Sequence, residues 1–402
     1  MKYDFTTYID RTGKDAIAFD GVGQGSAAAP KAPKEGFDII PMWIADMNFA
    51  TVPSIPEAMI ERAKHALYGY FPATEEYYDA IINWQKTRNQ AEALMKEHIS
   101  YENGALGSVI SALNVLCSKG DHILVHSPTY LGFTAAVNNN GYRFIHSELL
   151  VDADGEYQMD VEDMERKIVD HKIHVLLFCS PHNPTGRVWK RHELEQMMEL
   201  CKKHDVYVIS DELWSDILLD GNQFLPTQSV SEDAKQRTVA IYAPSKTFNL
   251  AGLIGSYRIV YNQWLKDRID KESSLSHYNE MNVMSMHALI GAYQAEGHEW
   301  VDELCQVLSG NMNYAYDYVK EHFDGVNASK PEATYLLYLD CTDWCKANQT
   351  TLDELLKAGW DVGVGWQDGR LFRGSCHIRM NLALPTEKVK EAFERLAKHV
   401  FN

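Results

Sequence analysis

Along the middle of the chain, short apolar runs alternate with segments of helical periodicity. The runs 122–126, 143–149, 175–179, 206–210 and 238–242 are rich in β-branched and aromatic residues, and they read as strands. Helical patterns sit between them. The clearest spans 190–204, where Leu194, Met197, Met198 and Cys201 line one face while Lys202, Lys203 and His204 complement the carboxyl end of the dipole. Such a βαβ succession predicts an α/β fold with a mostly parallel sheet covered on both faces. Ahead of it, 54–67 and 75–88 have helical spacing, and the stretch 100–108 gives a glycine-bearing entry into a further helix. Beyond about residue 285 the rhythm changes to helices at 285–294, 300–323 and 352–358, with strands at 335–339 and 376–382. The pattern predicts an arm with part of a small domain over 1–45, a large domain over 46–285 and a small α/β domain over 286–402.

Composition narrows this picture. At 402 residues the chain exceeds the size at which one core stops growing, which favours two unequal domains. Hydrophobic content of 45% and charged content of 23% are those of an ordinary globular protein. The formal charge of -18 disfavours nucleic acid or an anionic membrane as a general partner. Seven scattered cysteines without a CxxC pair give no disulfide framework or zinc site. Neither a secretory leader nor 18 consecutive apolar residues is present, so a cytoplasmic location is expected.

The candidate chemistry lies where the strands stop. Ser127-Pro128-Thr129-Tyr130, Ser180 to Gly186, Ser210-Asp211-Glu212 and Ser245-Lys246 each follow a predicted strand. Open α/β sheets place their ligands beyond such ends. Taken singly, each residue has a plainer reading: Lys246 as a solvated loop residue, Asp211 as a strand-end cap, Tyr130 as core, Asn183 as a turn before Pro184. Their order changes the balance. Asp211 precedes Lys246 by 35 residues, Asn183 precedes Asp211 by 28, and a Gly104-led helix start offers a phosphate seat upstream. That is the order expected of an enzyme holding pyridoxal 5'-phosphate as a Schiff base. The apolar stretch PMWIADMNF around Trp43 reads equally as a buried turn or as an active-site wall.

The motifs SPHNPTG, SDE and Ser245-Lys246, the last following a strand, resemble the fold type I pyridoxal-phosphate enzymes. PMWIADMNF, PHNPTGRVW, SDELWSD, SKTFNLAGL, PEATYLLYLD and HIRMNLALP are more closely similar to the MalY/PatB family of carbon-sulfur lyases, from about residue 38 to the carboxyl end. The resemblance implies a fold type I large domain with a seven-stranded sheet and a homodimer with shared sites. It assigns the cofactor linkage and the catalytic base to Lys246, the pyridine nitrogen to Asp211, ring stacking to Tyr130 and the phenolic oxygen to Asn183. The phosphate would rest on the backbone of Ala105 and Leu106, on Ser245 and on Tyr70 from the partner. Arg379, with Asn183 and Trp43, would receive an amino-acid substrate. The implied reaction is β-elimination from cystathionine, cystine or a cysteine conjugate, with an aminotransferase as the alternative sharing every residue. A DNA-binding sensor of this fold would need more than the 37 loop-like residues at the start. Three positions depart from the pattern: Ile254 where many aminotransferases carry a phosphate-binding arginine, Trp214 where a histidine or tyrosine is usual, and Asn48 in place of an aspartate.

Overall fold

A computed structural model describes residues 1–402 apart from Ala27, Asp154 and residues 276–278, so Ala27 of the alanine-rich arm segment lies outside the described residues. Seven strands form the main sheet: β1 (Ile99–Glu102), β2 (His122–Ser127), β3 (Arg143–Glu148), β4 (Val175–Cys179), β5 (Tyr207–Asp211), β6 (Thr238–Tyr242) and β7 (Ser256–Ile259). Their spatial order is β1-β7-β6-β5-β4-β2-β3. Pairing is parallel from β6 to β3, while β7 runs antiparallel to both β6 and β1. All five residues of β4 and of β6 are buried, as a strand covered on both faces requires. Val175 and Leu177 face a cluster with Val109, Phe133 and Ile269, whereas Leu176 and Phe178 face Met164, Leu194 and Met197. The two-residue period of the strand thus divides one apolar run between two helical layers.

A second sheet follows, with β8 (Asn327–Ala328), β9 (Leu336–Asp340), β10 (Gln367–Asp368) and β11 (His377–Asn381) antiparallel in the order β8-β9-β11-β10. Residues of this sheet share a core with helices Ala295–His322 and Thr386–His399. The amino-terminal arm reaches the same core. Phe5 packs against Phe49 and Trp300, and Ile40–Pro41 pairs in parallel with Val364–Gly365. Among the described residues no helix is long and apolar enough to cross a membrane.

The periodicity of 54–67 outruns its helix, which spans Ser54–Lys64. Arg62 accounts for the early stop: its guanidinium donates to the carbonyls of His65 and Leu67, so the chain leaves the helix with these acceptors satisfied. Strands β1 and β7 and the last helix extend what the periodicity indicated. The small-domain helix predicted from 300 begins at Ala295.

Candidate active site

The chain runs outward from β2 to β3, then returns to lay β4, β5 and β6 on the other side of β2. That reversal opens a crevice beyond the carboxyl ends of β2 and β4. A cavity of about 490 Å³ lies at this place, lined by Gly104, Ala105 and Leu106, by Tyr130, Asn183 and Asp211, by Ser245 and Lys246, and by Trp43 and Arg379. Nine of the ten residues predicted for the site therefore meet in one cavity. Tyr70 is elsewhere, fully exposed on the segment after helix Ser54–Lys64.

Each local sequence explains its contribution. Gly104 takes φ +72 just before helix Ala105–Leu116, and no side chain caps that helix start. The first backbone N–H groups are left open toward the cavity with the positive end of the dipole. Tyr130 precedes helix Leu131–Asn139, and its ring meets Phe133 edge-on at 5.3 Å. Gly132 is required beside it, because a Cβ there would collide with the Tyr130 ring. Lys246 sits in the short helix Pro244–Thr247 directly beyond β6.

Electrostatics separate the charged groups by environment. Burial raises the Asp211 carboxyl to about 6, opposed by the Leu213 N–H at 3.2 Å and by the charge of Lys246. A cation brought against that carboxylate would pull it back down. Burial first, and then the charge of Arg379, lower the Lys246 amine to about 8. Its Nζ donates to the Ala45 carbonyl at 3.0 Å, an oxygen that Tyr335 Oη also reaches at 3.1 Å. Arg379 is 3% exposed, and burial brings its guanidinium down to about 10. It donates to Asn183 Oδ1 at 3.2 Å, to the Trp43 carbonyl at 3.0 Å and to Gln367 Oε1 at 2.6 Å, and it lies 4.2 Å from the Phe372 ring centroid. All these acceptors are neutral, and its Nε is buried without a partner. Such a cation is poised for an incoming carboxylate.

Several contributors carried no sequence signal. Gln367 and the carbonyls of Trp43 and Ala45 position Arg379 and Lys246, and backbone carbonyls are invisible to residue type. The PMWIADMNF stretch forms a cavity wall through Trp43, Ile44 and Ala45. The arm pins it: Arg11 pairs with Asp46 at 2.8 Å, Asn48 exchanges two hydrogen bonds with Ile9, and Trp43 Nε1 donates to Ala18 O at 3.0 Å. Trp214 also lines the cavity, packed edge-on against Tyr335 at 4.7 Å.

Pyridoxal phosphate fits this donor set. A buried lysine of lowered pKa, a buried carboxylate, an uncapped helix start and an aromatic face supply the partners its aldehyde, pyridine nitrogen, phosphate and ring demand. Fold and site together define a fold type I pyridoxal-phosphate enzyme. Residues 38–396 match the aminotransferase class I and II family, and the chain belongs to it. It is similar to cystathionine beta-lyase PatB of Bacillus subtilis, 32% identical over 396 residues that cover 98% of both chains. Protein MalY of Escherichia coli is 29% identical, with 97% of this chain and 96% of MalY aligned. The pyridoxal-phosphate-bound C-S lyase from Staphylococcus hominis superposes with a TM-score of 0.88 at 29% identity, covering 99% of this chain and 98% of that one. Within its family the chain is a MalY/PatB-type carbon-sulfur lyase that uses pyridoxal phosphate.

Proposed function

We propose that the chain cleaves the Cβ–S bond of a sulfur amino acid, giving a thiol, pyruvate and ammonia, with the roles distributed as follows. The observation that carries the reading is Arg379, a buried cation with neutral partners lining the same cavity as Lys246. Arg379 receives the substrate α-carboxylate, and its unpartnered Nε is the free donor for that contact. Asn183 Oδ1 is taken by Arg379, which leaves the Nδ2 amide to donate to the cofactor's phenolic oxygen. Asp211 holds the pyridine nitrogen, Tyr130 stacks on the ring, and Ala105, Leu106 and Ser245 hold the phosphate. When bound, the cofactor supplies an electron sink for the pair left on Cα.

Lys246 then removes the Cα proton. With a pKa of about 8, its amine is partly neutral at working pH and can serve as the base. The Cβ–S bond breaks with its electron pair going to sulfur, and the thiolate takes up a proton as it leaves. One water converts the remaining three-carbon fragment to pyruvate and ammonium, so substrate plus water balances thiol, pyruvate and ammonium.

Tyr70 supports a homodimer. At complete exposure, beside exposed Leu67 and Tyr68, it is suited to cross to a partner's phosphate site. The two sheets support a division near residue 285 into a large and a small domain, and the absence of a membrane-crossing helix among the described residues is consistent with a cytoplasmic enzyme. The test is a panel of cysteine thioethers assayed with no keto acid present. Thiol and pyruvate in equal amounts support the lyase; turnover only when a keto acid is added would make the chain an aminotransferase.

A further inference from the structure

Cys341, Cys345 and Cys376 converge at one end of the small sheet. Strands β9 and β11 are antiparallel with Asp340 opposite His377, and the ladder runs one pair further, where the Cys341 N–H donates to the Cys376 carbonyl at 2.9 Å. Residues facing each other across such a hydrogen-bonded pair have Cα atoms about 5.5 Å apart. Helix Thr342–Ala347 starts directly after Cys341, and the Cys345 N–H donates back to the Cys341 carbonyl at 2.9 Å. A spacing of one helical turn brings Cys345 over the same face as Cys341. Both are buried in the core, and Cys376 packs against it while staying partly exposed. The Cys345 thiol is in contact with the Cys376 sulfur, and all three cysteines are free thiols. The exposed residues beside them in sequence, Asp343, Lys346, Arg373 and Ser375, are polar or charged, unlike the Leu67, Tyr68 and Tyr70 patch offered to a partner subunit.

We infer that Cys376 and Cys345 form a thiol–disulfide exchange site: Cys376 takes up half of a low-molecular-weight disulfide, and Cys345 resolves the adduct into a Cys345–Cys376 bond. The site is independent of the reaction proposed above. Cys376 is the sulfur that a molecule from solution can reach. Cys345 keeps its proton at neutral pH, because burial and then the neighbouring Cys376 sulfur push its thiol up to about 12. It therefore resolves an adduct rather than starting one. Once Cys376 carries the added half it can no longer be an anion, and its share of that shift disappears. In the first step the Cys376 thiolate attacks one sulfur of the disulfide, and the electron pair of the broken S–S bond leaves on the other half, which takes up the proton lost by Cys376. In the second step Cys345 gives up its proton and attacks the Cys376 sulfur, releasing the remaining half as a thiol. Two cysteines are oxidised, and the added disulfide is reduced to two thiols. Thiols already in contact need little movement to join. The closed loop fastens the segment that carries Gln367 and leads into β11.

The test incubates the native holoenzyme with glutathione disulfide, blocks the remaining thiols with N-ethylmaleimide and maps the peptides by mass. The expected product is a peptide pair joined through Cys345 and Cys376, with both halves of the reagent released as glutathione. A neighbouring thiol acts at an effective concentration of about a millimolar or more, so the glutathione adduct on Cys376 should stay below about a tenth of the linked form. In Cys345→Ser that adduct has no resolving thiol, and it should persist and rise at least about tenfold. In Cys376→Ser neither the link nor an adduct on Cys345 should form. Glutathione that lasts on wild-type Cys376, a link to Cys341 instead, or an adduct on Cys345 in Cys376→Ser overturns the inference. An unmodified Cys376 after the partly exposed Cys117 has reacted overturns it as well. So does a link that appears only together with modification of Cys179 and Cys201, which are buried and react when the chain opens.

Discussion

An amine condenses with an aldehyde only as the free base, so the acidity of Lys246 sets how readily the cofactor-free protein takes up pyridoxal phosphate. Burial and Arg379 bring that amine from 10.5 to about 8, while Asp46 and Asp211 pull the other way. At pH 7 a pKa of about 8 in place of 10.5 raises the neutral fraction roughly 300-fold. The assay mixes cofactor-free protein with pyridoxal phosphate and follows the growth of the yellow imine band against pH. The rate constant should climb about tenfold per pH unit up to about 8 and level off above it. Two variants should move the midpoint in opposite directions: Arg379→Met upward, by removing a nearby positive charge, and Asp46→Asn downward, by removing a negative one. The same group contributes to stability. Between about 8 and 10.5 the unfolded chain holds the proton and the folded chain does not, so the cofactor-free fold gains stability as pH rises through that window. The full change from this one group is on the order of 3 kcal/mol. A rate that rises without a break to pH 10, or a midpoint that neither variant moves, would show that burial and these charges do not set the Lys246 amine.

Three further outcomes follow from individual contacts. Arg379→Leu should lower kcat/KM by roughly 30-fold to several thousand-fold, the equivalent of about 2–5 kcal/mol for truncating a buried charge partner, chiefly through KM in steady-state assays. Asp211→Asn keeps the shape but removes the anion that holds a protonated ring nitrogen, so steady-state assays should show kcat lower by about 10² or more, with the larger loss in kcat rather than KM. Arg258→Leu leaves Glu102 buried without the guanidinium that meets it at 2.6 Å, and unfolding in denaturant should show a loss of about 3–5 kcal/mol.

The site was largely legible because residue type carried it. A lysine, an aspartate, an asparagine and a tyrosine beyond successive strands, with a glycine before a helix, name their own partners, and β4 and β6 matched their apolar runs residue for residue. What escaped was held by partners distant in sequence. β1 and β7 carry Glu102 and Arg258, charges that break the apolar pattern of a buried strand and are accommodated only by their mutual ion pair. The wall at Trp43 was ambiguous for a related reason: its role depends on backbone carbonyls and on an arm that fastens it through Arg11, Asn48 and Ala18. Gln367 gave no signal because a glutamine at a short edge strand is ordinary until Arg379 lies across from it.

Reductive trapping tests the linkage of pyridoxal phosphate to Lys246. Treatment of the purified holoenzyme with borohydride fixes any imine as a secondary amine, and peptide mass analysis then locates the pyridoxyl group. One modified residue is expected, Lys246, with the yellow absorbance abolished by reduction and missing altogether from Lys246→Ala. A label on another lysine, or no label on protein saturated with pyridoxal phosphate, would contradict it.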